Sequence, residues 1–263
     1  MISTQHLTSN IEVFPHSFDF TLGSIHYDKL ISNSDLISLL NVVKSNFPIN
    51  RIQCLGCHRL TLGIVVTYFK IQQLNRTVLH LDVSPNFVDL ESGVFVYTAK
   101  HRFLLLSDDV LLMVSFLKDF QLKEITLQRC RFSDDTVAIL SDLIKQKNSL
   151  TIVDFRFCGL CPDHLYKILN TFDLNTGSNL TRINLDSNSL GNEGALVLAE
   201  VLKNCSSMVN INLRYNSIGK EGALALANVL EADSSVLIKL EGNNMDIETR
   251  QLVSSTSHNR IIF

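Results

Sequence analysis

The sequence predicts an α/β solenoid, in which a curved parallel sheet lines the concave side of a right-handed β-α superhelix and helices cover its convex side. The segment from Leu180 to Leu202 recurs 28 positions later, from Met208 to Leu230, with strand, turn and helix residues at the same offset. Weaker copies of the pattern flank this pair on both sides. A single repeat of this length cannot bury a core, so we expect neighbouring repeats to stack into one continuous core.

The strand of each clear repeat is short and is followed by an asparagine. Ile183 and Leu185 are two residues apart, so they point to the same side of a strand. Asn188 and Asn216 occupy the position at which the chain leaves the strand. We expect these amides to stack along the solenoid and to satisfy backbone groups that the bend leaves unpaired.

The helix of each clear repeat carries one apolar stripe that includes small residues. Ala195, Leu198, Ala199 and Leu202 follow the i, i+3, i+4, i+7 spacing, which predicts a buried helix face close to the strands. Four glycines recur with the repeat period, so turn geometry and close packing explain them better than a nucleotide-binding loop does. These glycines are Gly191, Gly194, Gly219 and Gly222.

This order of short strand, asparagine and amphipathic helix resembles the leucine-rich-repeat family, in its long-repeat, ribonuclease-inhibitor-like subtype. The resemblance covers roughly residues 49–245. It implies a leucine-rich-repeat solenoid that acts as a non-enzymatic protein–protein interaction module and binds a macromolecular partner through its concave strand face. The family also includes small-GTPase regulators, and the segment from Cys130 to Leu140 is closer to the cysteine-containing repeats of ubiquitin-ligase substrate receptors. A regulator of an enzyme such as a small GTPase, or a substrate receptor of a ubiquitin ligase, is therefore the alternative.

The spacing of the repeats has one irregularity. The first buried strand residue of successive repeats lies at positions 52, 79, 125, 153, 183, 211 and 238, in steps of 27, 46, 28, 30, 28 and 27. The step of 46 holds either two short, degenerate repeats or one repeat with an insertion, in the region of about 85–106. Val94–Tyr97 and Arg102–Leu106 could pair there as a hairpin.

Both ends are interpreted as caps of one continuous domain. Residues 1–48 form an N-terminal cap integral to the solenoid, with an edge strand at Phe18–Phe20 and a helix at Ser34–Val43. Residues 49–245 form the leucine-rich repeats. Residues 246–263 form a C-terminal cap and tail, with a final helical turn before a segment that trails off from His258 to Phe263.

Composition excludes several classes of protein. The net charge is −3 and the basic residues are scattered, which argues against nucleic-acid binding. The most apolar segment, Phe103 to Leu117, is interrupted by two aspartates and is shorter than the roughly 20 residues of a membrane span. Six cysteines without a disulfide framework indicate the reduced thiols of a cytosolic or nuclear protein, and we expect a cytoplasmic location. We expect a monomer that contacts a protein partner of unknown identity.

No catalytic, cofactor or metal site is expected. The two Cys-x-x-Cys pairs, Cys54/Cys57 and Cys158/Cys161, are separated by about four repeats, or roughly 19 Å across a sheet. That separation is too large for one zinc ion with bonds of roughly 2.3 Å. Cys57, Cys130 and Cys158 instead fall at the ladder position of the repeat asparagines.

Side chains between the buried strand residues are expected on the concave face, in three columns. The first column is Thr126, Asp154, Asn184, Asn212 and Lys239; the second is Gln128, Arg156, Asp186, Arg214 and Glu241; the third is Arg129, Phe157, Ser187, Tyr215 and Gly242. Charges in the second column alternate in sign and could pair with one another. The third column places exposed aromatics near arginines, the residue types that dominate interface hot spots. The predicted partner-binding patch is Arg129, Arg156, Phe157, Arg214 and Tyr215.

Overall fold

Twelve strands form a single sheet in chain order in the described part of this computed structural model. The described residues are 17–19, 24–27, 51–54, 80–83, 86–89, 94–104, 107–147, 149–170, 179–203, 205, 207–230 and 235–263. The strands are β1 (Ser17–Asp19), β2 (Ser24–Tyr27), β3 (Arg51–Cys54), β4 (His80–Val83), β5 (Asn86–Asp89), β6 (Val94–Leu104), β7 (Glu124–Arg131), β8 (Ile152–Asp154), β9 (Arg182–Asn184), β10 (Asn210–Asn212), β11 (Leu237–Lys239) and β12 (Ile261–Ile262).

One helix lies between each pair of successive strands from β6 onward, and these strands are all parallel. The helices are α1 (Ser107–Leu117), α2 (Asp134–Lys145), α3 (Pro162–Leu169), α4 (Gly191–Leu202), α5 (Lys220–Asn228) and α6 (Ile247–Thr256). Alternation of parallel strand and helix without closure of the sheet confirms the predicted α/β solenoid. Each of these helices is too short to cross a bilayer, and no longer apolar helix exists among the described residues.

The core lies between the sheet and the helices. Val153, Ile183, Ile211 and Ile238 occupy the same register on successive strands and are 0–1% exposed. The helix stripe from Ala195 to Leu202 packs into the same cluster, as its spacing predicts. Burial of each large aliphatic side chain contributes roughly 1.5–3 kcal/mol, so the stacked core residues of the strands and helices supply most of the stability.

The 46-residue interval between positions 79 and 125 contains an extra antiparallel strand, β5. The predicted hairpin of Val94–Tyr97 with Arg102–Leu106 is wrong, because β6 runs as one strand from Val94 to Leu104 and its register against β7 shifts between Thr98 and Phe103. A hairpin forms one element earlier instead, where β5 is antiparallel to both β4 and β6. The chain thus regains its parallel direction at β6.

The two ends of the sheet bear on the predicted caps. β1 is the first strand of the sheet, at the predicted edge, whereas the predicted cap helix Ser34–Val43 and Cys57 lie outside the described residues. The prediction that residues 258–263 trail off is wrong, because β12 pairs in parallel with β11. Ile261 aligns with Ile238 and is 3% exposed, so its burial extends the core column by one more strand.

The asparagine ladder is confirmed, and the side-chain amides of Asn188 and Asn243 each donate two and accept two hydrogen bonds with backbone groups. The Asn243 Oδ1 accepts the backbone N–H groups of Asn216 and Ile218, both at 2.9 Å. Its Nδ2 donates to the carbonyls of Leu213 at 2.8 Å and Leu240 at 2.9 Å. Asn188 forms the equivalent four bonds at 2.8–3.1 Å. The ladder therefore joins successive repeats where the chain bends away from the sheet.

Asn243→Ala is expected to lower the free energy of unfolding by at least about 2 kcal/mol, because buried backbone donors and acceptors lose their partners. Asn244→Ala is the matched control, since this neighbouring asparagine is exposed and its loss should change stability by less than about 0.5 kcal/mol. Urea unfolding followed by circular dichroism measures both. Equal effects of the two substitutions would contradict the ladder's role.

Candidate functional site

The open face, defined as the sheet face that carries the three columns, is ordered by strand pairing. Thr126, Asp154, Asn184, Asn212 and Lys239 align residue by residue from β7 to β11, which confirms the predicted first column. Thr126 and Asp154 are buried, and the other three are half-buried. The open face is therefore a continuous polar surface whose spacing is set by the sheet.

The third column has a backbone conformation that the sequence did not predict. Arg129, Phe157, Ser187 and Tyr215 all have positive φ, between 52° and 59°, and Gly242 continues the series at 73°. A left-handed conformation costs a non-glycine residue roughly 1–2 kcal/mol. Such a run of identical strained positions requires a compensating interaction.

Backbone hydrogen bonds between repeats supply that interaction. The N–H groups of third-column residues donate to second-column carbonyls of the next repeat: Arg129 to Arg156 at 2.9 Å, Phe157 to Asp186 at 3.0 Å, Ser187 to Arg214 at 2.9 Å, and Tyr215 to Glu241 at 3.1 Å. The sheet pairing thus continues past the strands into the turns. The backbone from which the third-column side chains project is therefore fixed by the neighbouring repeat.

Tyr215 is the most exposed aromatic of the open face. Its side chain is 61% exposed, as predicted, and its ring lies over Gly242. A Cβ added at Gly242 would come within 2.3 Å of the Cδ1 and Cε1 atoms of that ring. Glycine at the end of the column therefore provides the space in which the tyrosine lies flat.

Phe157 is half-buried and is covered by an arginine. The Arg129 guanidinium carbon is 5.5 Å from the centroid of the Phe157 ring, in a cation–π contact. The structure therefore brings together two of the predicted patch residues, on adjacent repeats. Arg156, also expected near Phe157, is engaged elsewhere.

Arg156 binds the first-column carboxylate of its own repeat. Its Nε lies 3.0 Å from Oδ1 and 2.9 Å from Oδ2 of Asp154, and its Nη2 lies 2.9 Å from Oδ2. Pairing of Arg156 with Asp186 along the second column is therefore wrong. Asp154 is 8% exposed, and a buried carboxylate needs charged donors, which the nearest arginine provides.

Pairing along the second column is confirmed one repeat pair later. Arg214 Nη2 donates to Glu241 Oε1 across adjacent repeats. This hydrogen bond lowers the pKa of Glu241 and raises that of Arg214, so both groups are held in their charged forms. Arg214 therefore fixes the surface beside Tyr215.

First-column residues of β8 to β11 line a hollow of about 340 Å³. Its polar lining consists of Asp154, Arg182, Asn184, Asn210, Asn212 and Lys239. Asn210 and Arg182 were not among the predicted site residues, because they precede the columns. Their position two residues before the first column places them on the same face of the sheet, which is the signal that could have found them.

The cysteines of the described repeats have structural positions. Cys130 and Cys158 are fully buried at the ladder position, as predicted. The Cys158 thiol donates to the Leu127 carbonyl at 2.9 Å. In the repeats with asparagine, the side-chain amide donates the matching bond to the preceding repeat. Burial raises the pKa of Cys158 well above its usual range. Across the described residues, no three His, Cys, Asp or Glu side chains are grouped as a metal site would require.

Comparison with known proteins gives one family. Residues 178–199 and 204–227 match the family model of the leucine-rich repeat. These segments are the two clearest repeats in the sequence, and with the parallel strand–helix order they confirm the α/β leucine-rich-repeat fold. No curated protein matches the chain significantly in sequence.

Several solved structures are similar to the chain at low identity. Leiomodin-1 actin-binding site 2 has 15% identity and a TM-score of 0.48, over 59% of this chain and 90% of that one. The tropomodulin C-terminal domain of Caenorhabditis elegans has 16% identity and a TM-score of 0.42, over 59% and 93%. The yeast Rad7 and Elc1 complex has 14% identity and a TM-score of 0.45, over 90% and 61%. At such identities a similarity concerns the fold and not the ligand.

Site-resolved alkylation should distinguish the two cysteines of the Cys158/Cys161 pair. Cys158 is buried with a raised pKa, whereas Cys161 is half-buried at the start of α3. Thiolate is the reactive form, so iodoacetamide should modify Cys161 first and Cys158 only after unfolding. Peptide mass spectrometry of the native protein measures the two rates. Equal native rates would contradict the structural role of Cys158.

Gly242→Ala should move the Tyr215 ring, because the added methyl group occupies its space. Gly191→Ala is the matched control, since Gly191 also has positive φ but its Cβ would meet nothing within 4 Å. Both changes should lose roughly 1–2 kcal/mol of stability for the left-handed conformation. Only Gly242→Ala should shift the ring signals of Tyr215 in ¹³C-tyrosine NMR spectra, assigned with Tyr215→Phe. Unchanged Tyr215 signals in Gly242→Ala would show that the ring does not rest on this glycine.

Proposed function

We propose that this leucine-rich-repeat protein is a non-enzymatic interaction module that binds a protein partner through its open face, the concave face of the solenoid. One observation supports this most directly. The third column holds an exposed tyrosine and an arginine-covered phenylalanine on turns whose backbone is fixed by the neighbouring repeats. A surface that is ordered before binding loses less conformational entropy when it binds.

The proposed contact patch is the predicted one, with different roles for its members. Tyr215, Phe157 and Arg129 supply the contact, because aromatic and arginine side chains carry a large share of interface energy. Arg156 and Arg214 are already bound to carboxylates of the open face, so they hold that face in shape. The patch thus combines apolar area with a fixed polar surround.

The size of the open face suits a globular partner. The five strands from β7 to β11 lie roughly 4.8 Å apart and span roughly 19 Å between the outer pair. Three columns on these strands hold 15 residues, and a standard interface uses roughly 20–30 residues on each side, so the proposed partner would also contact residues that flank the columns. A single domain or helix of the partner would cover it.

The repeats are best placed in the ribonuclease-inhibitor-like subtype. The support is that full helices of 12 residues, such as α2 and α4, alternate with three-residue strands such as β8 and β9. Free buried thiols suit a reducing compartment, which supports a cytoplasmic scaffold. The module would act as a monomer in this role.

The two alternatives have less support. A regulator of small GTPases would use an arginine to neutralise phosphoryl charge, whereas Arg156 and Arg214 are each occupied by a carboxylate. A ubiquitin-ligase substrate receptor was suggested by the repeat at Cys130. That thiol is fully buried at a ladder position, which a structural role alone explains.

Tyr215→Ala is expected to weaken capture of the partner by at least about tenfold, the range of an interface hot spot. Tyr166→Ala is the matched control, because Tyr166 is also exposed, at 56%, but lies on helix α3. Quantitative affinity purification with mass spectrometry identifies the partner, and calorimetry then measures both variants. Equal loss in both variants, or none in Tyr215→Ala, would overturn binding through the open face.

A further inference from the structure

The hollow on the open face is the strongest remaining feature, and its charges are unequally satisfied. Asp154 is its single carboxylate, and the Asp154 oxygens are saturated with donors. Arg156 binds both of them, and Asn184 Nδ2 donates to Oδ2 at 3.2 Å. The Arg156 backbone N–H adds a bond to Oδ1 at 3.2 Å. This carboxylate is therefore neutralised in place and leaves little capacity to bind a cation.

Two cations of the hollow lack such partners. Arg182 is exposed and Lys239 is half-buried, and the side chain of neither forms a salt bridge or hydrogen bond with any residue that the structure describes. Lys239 contributes to the lowered pKa of Glu241 through space, but Glu241 is hydrogen-bonded to Arg214. The hollow thus carries unpaired positive charge although the protein as a whole has a net charge of −3.

Strand register places these cations on opposite sides of two amides. Arg182 pairs with Asn210, and Lys239 pairs with Asn212, on the strand between them. β9 and β11 are two strand spacings apart, or roughly 10 Å, a gap that an arginine and a lysine side chain can close on one small anion. Asn212 Oδ1 accepts the Arg214 N–H at 3.1 Å, which leaves the Asn212 amide donor for a ligand.

We propose, resting on the proposed function, that this hollow receives a carboxylate from an acidic segment of the partner. Arg182 would bind the carboxylate through its guanidinium fork, Lys239 would add a point charge, and the Asn212 amide would donate a hydrogen bond. The neutralised Asp154 does not repel such a ligand as a free carboxylate would. An acidic side chain lodged there would fix the position of the partner relative to the aromatic patch.

The test uses the full chain labelled with ¹⁵N and a defined probe, acetylated and amidated hexaglutamate, with hexaglutamine as the neutral control. We expect saturable shifts centred on Arg182, Asn210 and Lys239 with hexaglutamate alone. The double variant Arg182→Gln/Lys239→Gln should bind the probe about tenfold more weakly, because charge-assisted hydrogen bonds are lost. Lys145→Gln/Lys167→Gln, which removes the same charge from exposed helix positions, should bind as the parent does.

Three outcomes would overturn the proposal: hexaglutamine binding as well as hexaglutamate, unchanged affinity in the Arg182/Lys239 variant, or tighter binding of a hexathymidylate oligonucleotide. The last would show that the hollow prefers phosphate. Phe157→Ala/Tyr215→Ala keeps the charges of the hollow and should retain the probe. If the hexaglutamate probe does not bind while Tyr215→Ala still weakens partner capture, only this proposal fails. The reverse result removes the proposed function, and the hollow then remains a carboxylate-binding site without the partner assigned to it.

Discussion

Hydrogen bonding of the backbone where each strand turns into a helix is the constraint on which the rest of the molecule depends. A solenoid must bend its chain at every repeat, and each bend removes backbone groups from the sheet. Asn188 and Asn243 each satisfy two donors and two acceptors in adjacent repeats. Because every amide joins two repeats, it fixes the stacking register, and the register then creates the columns of the open face.

In the repeats with cysteine at this position, the side chain satisfies fewer backbone groups than an asparagine does. The Cys158 thiol donates to the Leu127 carbonyl, but the Phe132 N–H reaches the Cys158 backbone carbonyl at 3.3 Å instead of a side-chain acceptor. Packing strengthens this region, since the rings of Phe132 and Phe155 meet edge to face at 5.3 Å. The arginine-covered Phe157 lies in this part of the sheet, where the Asn188 amide also bonds the backbone of Phe155 and Cys158, so packing and the ladder both support this half of the aromatic patch.

Periodicity made the repeats, the buried stripes, the ladder and the exposure of Tyr215 predictable, because each follows from which residues recur at the same offset. The left-handed third column was not predictable, since the carbonyls that stabilise Phe157 and Tyr215 belong to the next repeat. The ion pair of Arg156 with Asp154 forms because that carboxylate is buried, and residue spacing alone does not predict the burial of Asp154. Strand β5 breaks the period and therefore left no repeat signal of its own.

In the proposed function, the open face would separate two kinds of recognition by column. Its second column pairs charges internally at Arg214 and Glu241, which removes them from competition for a partner. Apolar contact is then concentrated in the third column, whose turns are fixed before binding, and unpaired charge is concentrated at the hollow beside the first. Apolar contact contributes most to affinity, whereas complementary charge contributes most to specificity and orientation. Because the same sheet register positions the third column and the hollow, the proposed partner would bind both at a fixed offset from each other.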